Sequence, residues 1–150
     1  MLYTIGDVAK KLGVRPSVLR YYDKEGLLPH MSRSQSGIRM FTDSDLEWFH
    51  LIERLKRSGM PIKEIKEYVD LYEEGDSTLE ERRDLLYSRK EAVLVEMEKL
   101  KDTLDFITYK CWFYDTAVEA GTVDVPHNMP DDEIPADILE IKRRCLGKGN

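Results

Sequence analysis

The stretch R-P-S-V-L-R-Y-Y-D-K-E-G-L, residues 15–27, gathers side chains suited to holding a polyanion. Arg15 and Ser17 fall at the N-terminal end of a short helical pattern, the end of a recognition helix that meets base edges in a major groove. Arg20 and Lys24 lie one turn apart and suit phosphate contacts. Tyr21 and Tyr22 suit hydroxyl hydrogen bonds to phosphate, or one of the two packs inward. Arg33 and Arg39, further along, would reach the flanking backbone. This is binding chemistry and not bond-breaking chemistry. No paired His/carboxylate set, nucleophile motif, phosphate loop or metal-ligand spacing accompanies it. An enzyme is therefore not expected, and neither a cofactor nor a metal is called for.

The charge distribution agrees, although the average conceals it. The 150 residues carry 23 Lys+Arg and 29 Asp+Glu, a net charge of −6, which by itself argues against nucleic acid. Residues 1–42 hold seven basic and three acidic side chains, a net of +4, and residues 43–150 hold 16 and 26, a net of −10. A basic head precedes an acidic body. No apolar run is long enough to span a membrane, and the start M-L-Y-T-I-G-D-V-A-K-K-L lacks the basic-then-apolar plan of a secretory signal. Two cysteines 34 positions apart are no disulfide scaffold, and a reducing cytoplasmic setting is expected.

The elements that must position these residues follow from periodicity. Thr4 precedes Ile5, Val8, Ala9 and Leu12, the spacing of one helix face, and Thr4 with Asp7 resembles a capping box. Gly13 ends that helix. Pro16 opens a second, which carries Leu19 and Tyr22 and ends near Gly26. Two short helices across a tight turn make a helix-turn-helix pattern. The segment H-M-S-R-S-Q-S-G-I-R-M-F reads as a small hairpin, with Arg39 and Phe41 on one face and Ile38 and Met40 on the other. Thr42 or Asp43 caps a third helix striped by Leu46, Phe49, Ile52 and Leu55 and closed by Gly59. Pro61 opens a fourth, with Ile62, Ile65, Val69 and Tyr72 on one face, ended by Gly75.

From Ser77, whose pairing with Glu80 predicts a second capping box, no Pro or Gly appears until Gly121. Leu79, Leu86, Val93, Leu100, Ile107 and Tyr114 recur every seven residues. Arg83, Lys90, Met97, Leu104, Cys111 and Val118 follow each by four. This is a d/a heptad seam with two basic a positions near its start. About 40 residues give a helix of roughly 60 Å, too long for one small head to cover. The seam residues Leu79, Leu86, Val93, Met97, Leu100, Leu104 and Ile107 predict self-association. The remaining segment, 120–150, is interrupted by Pro126, Pro130 and Pro135. Ile134, Ile138, Ile141 and Cys145 predict one short amphipathic helix between Pro135 and Gly147. The tail is expected to be an arm packed on a partner, or partly disordered.

At this point the chain resembles the MerR family of bacterial transcription regulators. The resemblance rests on Y-T-I-G-D-V-A-K-K-L-G-V, L-R-Y-Y-D-K-E-G-L-L, the G-I-R-M-F segment, L-K-R-S-G-M-P-I-K-E-I and the long helix after Gly75, and covers roughly residues 2–119. It implies a mainly α fold: a winged helix-turn-helix head with a small β-hairpin wing, a helical second wing and a long dimerisation helix. In these terms residues 1–74 are the DNA-binding head, with the helix-turn-helix at 4–26, the wing at 30–41 and the second wing at 43–74. Residues 77–119 are the coiled-coil helix, and 120–150 are a C-terminal arm suited to an effector. The resemblance further implies an antiparallel homodimer on a palindromic promoter, which it bends and untwists so that an effector lets RNA polymerase engage. By family position Arg20, Tyr21, Arg39 and Lys63 match backbone-contacting residues, and Arg15 and Ser17 the base-facing end. Phe41 stands where the family often has Tyr.

The effector is harder to read. Metal-sensing members carry cysteines near the start of the long helix and in the loop beyond it, and both places lack them here. Residues 120–150 are too few for a separate multidrug-binding domain, and two cysteines are too few for a redox cluster. An electrophile-responsive subgroup carries a cysteine that aligns near Arg54, where this chain has no thiol. Cys111 is read as a small core hydrophobe, or as a thiol sensor activated by Lys110. Tyr109, Trp112, Phe113 and Tyr114 surround it and are read as packing, or with Cys111 as a pocket for a small apolar or cationic compound near the partner's second wing. Two rival readings stand beside an effector-responsive regulator: an effector-free repressor, and a coiled-coil adaptor that uses its head for protein contacts.

Overall fold

Thr4 and Thr42 begin helices by the same device. The computed structural model describes residues 1–28 and 40–147. Its first helices are α1 (Ile5–Leu12), α2 (Pro16–Lys24) and α3 (Asp43–Arg57). Thr4 Oγ1 accepts from the N–H of Asp7 at 3.2 Å, and Thr42 Oγ1 from that of Asp45 at 3.3 Å. Each aspartate accepts in return from the threonine N–H, at 2.9 and 2.6 Å. These boxes satisfy donors that a helix start leaves open. Hydrogen bonds from Thr4 hold the Asp7 carboxyl below the usual carboxylate range. Thr42→Ala is expected to cost about 1 kcal/mol of stability, read as a lower urea midpoint at unchanged slope.

Tyr3 and Phe41, each immediately before a cap threonine, exchange two backbone hydrogen bonds of 2.8 Å in an antiparallel bridge. The starts of α1 and α3 are thereby tied side by side. The hairpin expected over 30–41 lies outside the described residues except for Met40 and Phe41, and so do Arg33 and Arg39. Gly13 takes the left-handed conformation (φ 66°) that ends α1 and turns the chain into α2.

The chain clusters into two units, Met1–Val93 and Leu94–Asn150. In the first, α1 packs on α2 and α3, and α3 packs on α4 (Ile62–Glu74). Val8, Leu19, Tyr22, Leu27, Phe41, Phe49, Ile52, Ile65 and Val69 are fully enclosed in one core. Apart from Leu27 and Phe41, which lie between helices, these belong to the apolar stripes that the i, i+3, i+4 spacing places on the inner face of each helix.

Gly75 (φ 88°) stops α4 and leads into a 3-10 turn at Asp76–Thr78, which runs directly into α5 (Leu79–Ala120). The capping box expected from Ser77 and Glu80 is replaced here. The turn before α5 has no side-chain cap. Instead the buried Thr78 hydroxyl donates back to the carbonyls of Leu71 and Gly75. The hydroxyl thus serves the acceptors that α4 leaves open at its end, since residues 76–78 are already helical.

In the second unit α5 ends at Gly121 (φ 73°) and the chain turns back. A short helix, α6 (Asp124–Asn128), precedes α7 (Ala136–Leu146), which lies between Pro135 and Gly147 as expected. Where an arm packed on a partner, or partial disorder, was expected, the described residues 121–147 fold back on their own chain. Ile134 and Ile138 bury themselves against Tyr109 and Phe113 of the same chain, with Trp112, Met129, Leu139 and Ile141 packed around them. Arg144 forms an ion pair with Asp105 that ties α7 to α5. The proline-rich spacing of the tail suggested an open segment, but its isoleucines had apolar partners on α5.

Candidate nucleic-acid interface

Helix α2 divides its side chains cleanly. Leu19 and Tyr22 are buried, and Arg15, Ser17, Arg20, Tyr21 and Lys24 are exposed. The outward face thus carries two guanidinium groups, an ammonium, a hydroxyl and a phenol. The start of α2 differs from those of α1 and α3. Its N-cap is Arg15, no side chain caps it, and no acid lies in its first turn. Pro16 has no N–H and the Val18 N–H donates to the Arg15 carbonyl at 2.9 Å, so what is left available to an anion is chiefly the positive end of the helix dipole. Lys63 stands exposed in the first turn of α4.

Of the two tyrosines it is Tyr22 that packs inward, and this removes it from the DNA-facing set. It is wholly buried, and its hydroxyl donates to the Glu53 carboxylate on α3. Burial, reinforced by that carboxylate, pushes its phenol well above the ordinary tyrosine range. The Lys56 ammonium sits 5.2 Å from its ring centroid. Tyr22 therefore fixes α2 against α3. Tyr21 remains 42 % exposed. Nothing in the spacing of Glu53 pointed to this role.

Two family models match, one described as MerR HTH family regulatory protein over residues 3–71 and one as MerR, DNA binding over residues 46–108. An HTH-type transcriptional regulator of Haemophilus influenzae is 42% identical over 130 residues, 87% of this chain and 96% of the relative. The chain belongs to the MerR family. A solved structure of HiNmlR, described as a MerR family regulator lacking the sensor domain and bound to promoter DNA, is similar to it. That likeness has a TM-score of 0.73 and 42% identity, over 83% of this chain and 98% of that one. A MerR family regulator of Listeria monocytogenes aligns with a TM-score of 0.75 and 31% identity, over 79% and 90%. This protein is thus a MerR-family DNA-binding transcription regulator, and its relatives are regulators and not enzymes.

In this MerR-family chain the seam side of α5 is uncovered. Leu79, Leu86, Met97, Leu100, Leu104 and Ile107 are all exposed, Leu100 by 75 %, and Val93 is half-buried. The residues expected to line an effector pocket do not share one lining. Tyr109 and Phe113 are buried under Ile134 and Ile138, Trp112 is half-buried at the edge, and Cys111 and Tyr114 are exposed. Lys110, the cation that a thiol sensor at Cys111 requires, places its ammonium 5.3–5.9 Å from the ring centroids of Phe106, Tyr109 and Phe113. No cluster of His, Cys, Asp and Glu able to hold a metal is found among the described residues. No helix among them is long and apolar enough to cross a membrane.

Proposed function

We propose that this regulator binds a palindromic promoter as an antiparallel homodimer in the cytoplasm and distorts the duplex, which sets how RNA polymerase engages. The observation that carries the reading is the division of α2. Its apolar residues are locked into the head, and its basic and hydroxyl side chains face outward beside an uncapped, acid-free N-terminus. Arg15 and Ser17 are the base-facing pair. Arg20, Tyr21, Lys24 and Lys63, with Arg33 and Arg39, hold phosphate. The exposed seam supplies the second copy, which would place two such helices on the two half-sites. Residues 1–74 act as head, 77–119 as dimerisation helix and 120–150 as arm.

One observation favours the effector-free form of this reading. The aromatic cluster suited to a ligand is already filled by the chain's own Ile134 and Ile138. HiNmlR, to which the chain is similar, is itself described as lacking the sensor domain. Both forms are tested together by binding to a palindromic promoter fragment, combined with a thermal-shift screen of lipophilic cations, aldehydes, disulfide stress agents and metals. Salt-sensitive binding to the palindrome with no thermal shift supports the effector-free regulator. A shift lost on Trp112→Ala but kept on Cys111→Ser supports a pocket. No preference for the palindrome over scrambled DNA overturns the proposal.

A further inference from the structure

The stem of α5 is fastened to the head by a chain of contacts that ends at the recognition helix. The Gly75 carbonyl, at the bend after α4, accepts from three donors: the Thr78 N–H at 3.2 Å, the Thr78 hydroxyl at 2.8 Å and Arg82 Nη2 at 3.1 Å. The Arg82 guanidinium also lies over the Tyr72 ring, 5.5 Å from its centroid, and its side chain is only 14% exposed. Its Nε is enclosed without a hydrogen-bond partner, and the carbonyl, the ring and the exposed Asp76 carboxylate, 3.9 Å from Nη2, are what hold it. The Tyr72 ring stands 4.6 Å from that of Trp48 on α3. The Trp48 indole N–H donates at 2.8 Å to the Leu27 carbonyl, just past the end of α2. One turn pair further along α5, the Arg89 guanidinium occupies the space that a Cβ on Gly59 (φ 82°) would need, 2.5 Å from it. Arg82 and Arg89 are seven residues apart on one side of α5, beside the exposed seam and not within it.

We propose that Arg82 is a positioning residue for DNA reading. It fixes the angle at which the stem of α5 leaves the bend, and Tyr72 and Trp48 pass that constraint to the end of α2. In a dimer joined through α5, that angle sets the separation of the two recognition helices, and so the half-site spacing the protein accepts. The inference rests on the dimeric reading given above. A planar guanidinium suits the task, since it can donate to a carbonyl and lie over a ring at once.

The test is fluorescence anisotropy on palindromes whose central spacer is lengthened or shortened by one and two base pairs, with a single half-site alongside. Wild type is expected to discriminate among spacers. Arg82→Ala is expected to keep wild-type helical content and dimer sedimentation, and to bind the single half-site within about twofold of wild type, while its discrimination among spacers falls by about fivefold or more. Trp48→Phe, which keeps a ring but loses the N–H, should shift the profile in the same direction by less. If Arg82→Ala does not fold, Arg82→Lys carries the test, because it keeps the charge and loses the fork. An unchanged spacing profile overturns the inference, and so does an equal loss on every DNA including the half-site. If wild type shows no preference for any palindrome, the dimeric reading fails and this inference fails with it.

Discussion

Leu104→Glu is expected to turn the protein into a monomer at micromolar concentration and to weaken binding to palindromic DNA by roughly 10²-fold or more. Leu104 occupies an a position of the seam and is 63 % exposed, with Leu100 at 75 % and Met97 at 60 % beside it. Side chains of this size left in water represent about 1.5–3 kcal/mol each of burial not yet realised. A pairing helix would realise it at every heptad. A carboxylate at the middle of that surface would have to be desolvated without a partner, which costs more than the leucine contributed. The loss at DNA follows from geometry: with the link gone, the second head no longer binds at the high local concentration that the first provides. Sedimentation velocity and anisotropy on the same sample check both halves. A variant that stays dimeric would sink the seam assignment, and a monomer that binds as tightly as wild type would sink the two-headed reading.

Arg20→Ala is expected to lower DNA affinity by about 10²- to 10⁴-fold and to reduce the steepness of the salt dependence by about two charges per dimer. Arg20 lies on the exposed face of α2, opposite the buried Leu19 and Tyr22. A charge-assisted hydrogen bond to phosphate contributes about 1.5–3 kcal/mol, and each dimer would lose two of them. The slope of log affinity against log salt counts phosphates neutralised, so it separates a phosphate contact from a general weakening. Tyr22→Phe is the contrasting variant. It removes the bond to the Glu53 carboxylate and should cost about 1.5–3 kcal/mol of stability while leaving the salt slope at the wild-type value. Equal slopes for wild type and Arg20→Ala would remove Arg20 from the interface.

Much of this fold is written in local signals. Thr4 and Thr42 followed three residues later by aspartate, Gly13 and Gly75 at the ends of apolar stripes, and Pro135 before Ile138 each mark a helix end by chemistry that needs no distant partner. Those boundaries could be read directly. What was not legible depends on contacts between distant residues. The pattern Tyr21-Tyr22 contains no indication of which ring turns inward; that is decided by Glu53, 31 positions away from Tyr22. The three prolines of the tail suggest an arm packed on a partner or partial disorder, and only the apolar surface at Tyr109 and Phe113 shows why the segment folds back. Ser77 paired with Glu80 looked fit to cap α5, and the turn before it has no side-chain cap. The carbonyls of Leu71 and Gly75 selected Thr78 for a different task. The aromatic run around Cys111 admitted either packing or a ligand pocket, because no sequence pattern shows that Ile134 and Ile138 pack on Tyr109 and Phe113.

The two basic a positions at the start of α5 bear on a different question, which is how a seam avoids the wrong partner orientation. Arg83 is 57 % exposed and lies beside Asp84, and Lys90 is also exposed. If two copies aligned in the same direction, Arg83 would face Arg83 and Lys90 would face Lys90, and like charges stacked at a core position are disfavoured. Reversing one copy would move these cations toward the opposite end of the partner's helix, where Asp115 stands at an e position beside the seam. In the dimer proposed above, the same two residues that weaken the seam as a hydrophobic surface would encode its polarity. They would act less as adhesive than as a selection rule, which disfavours the parallel register.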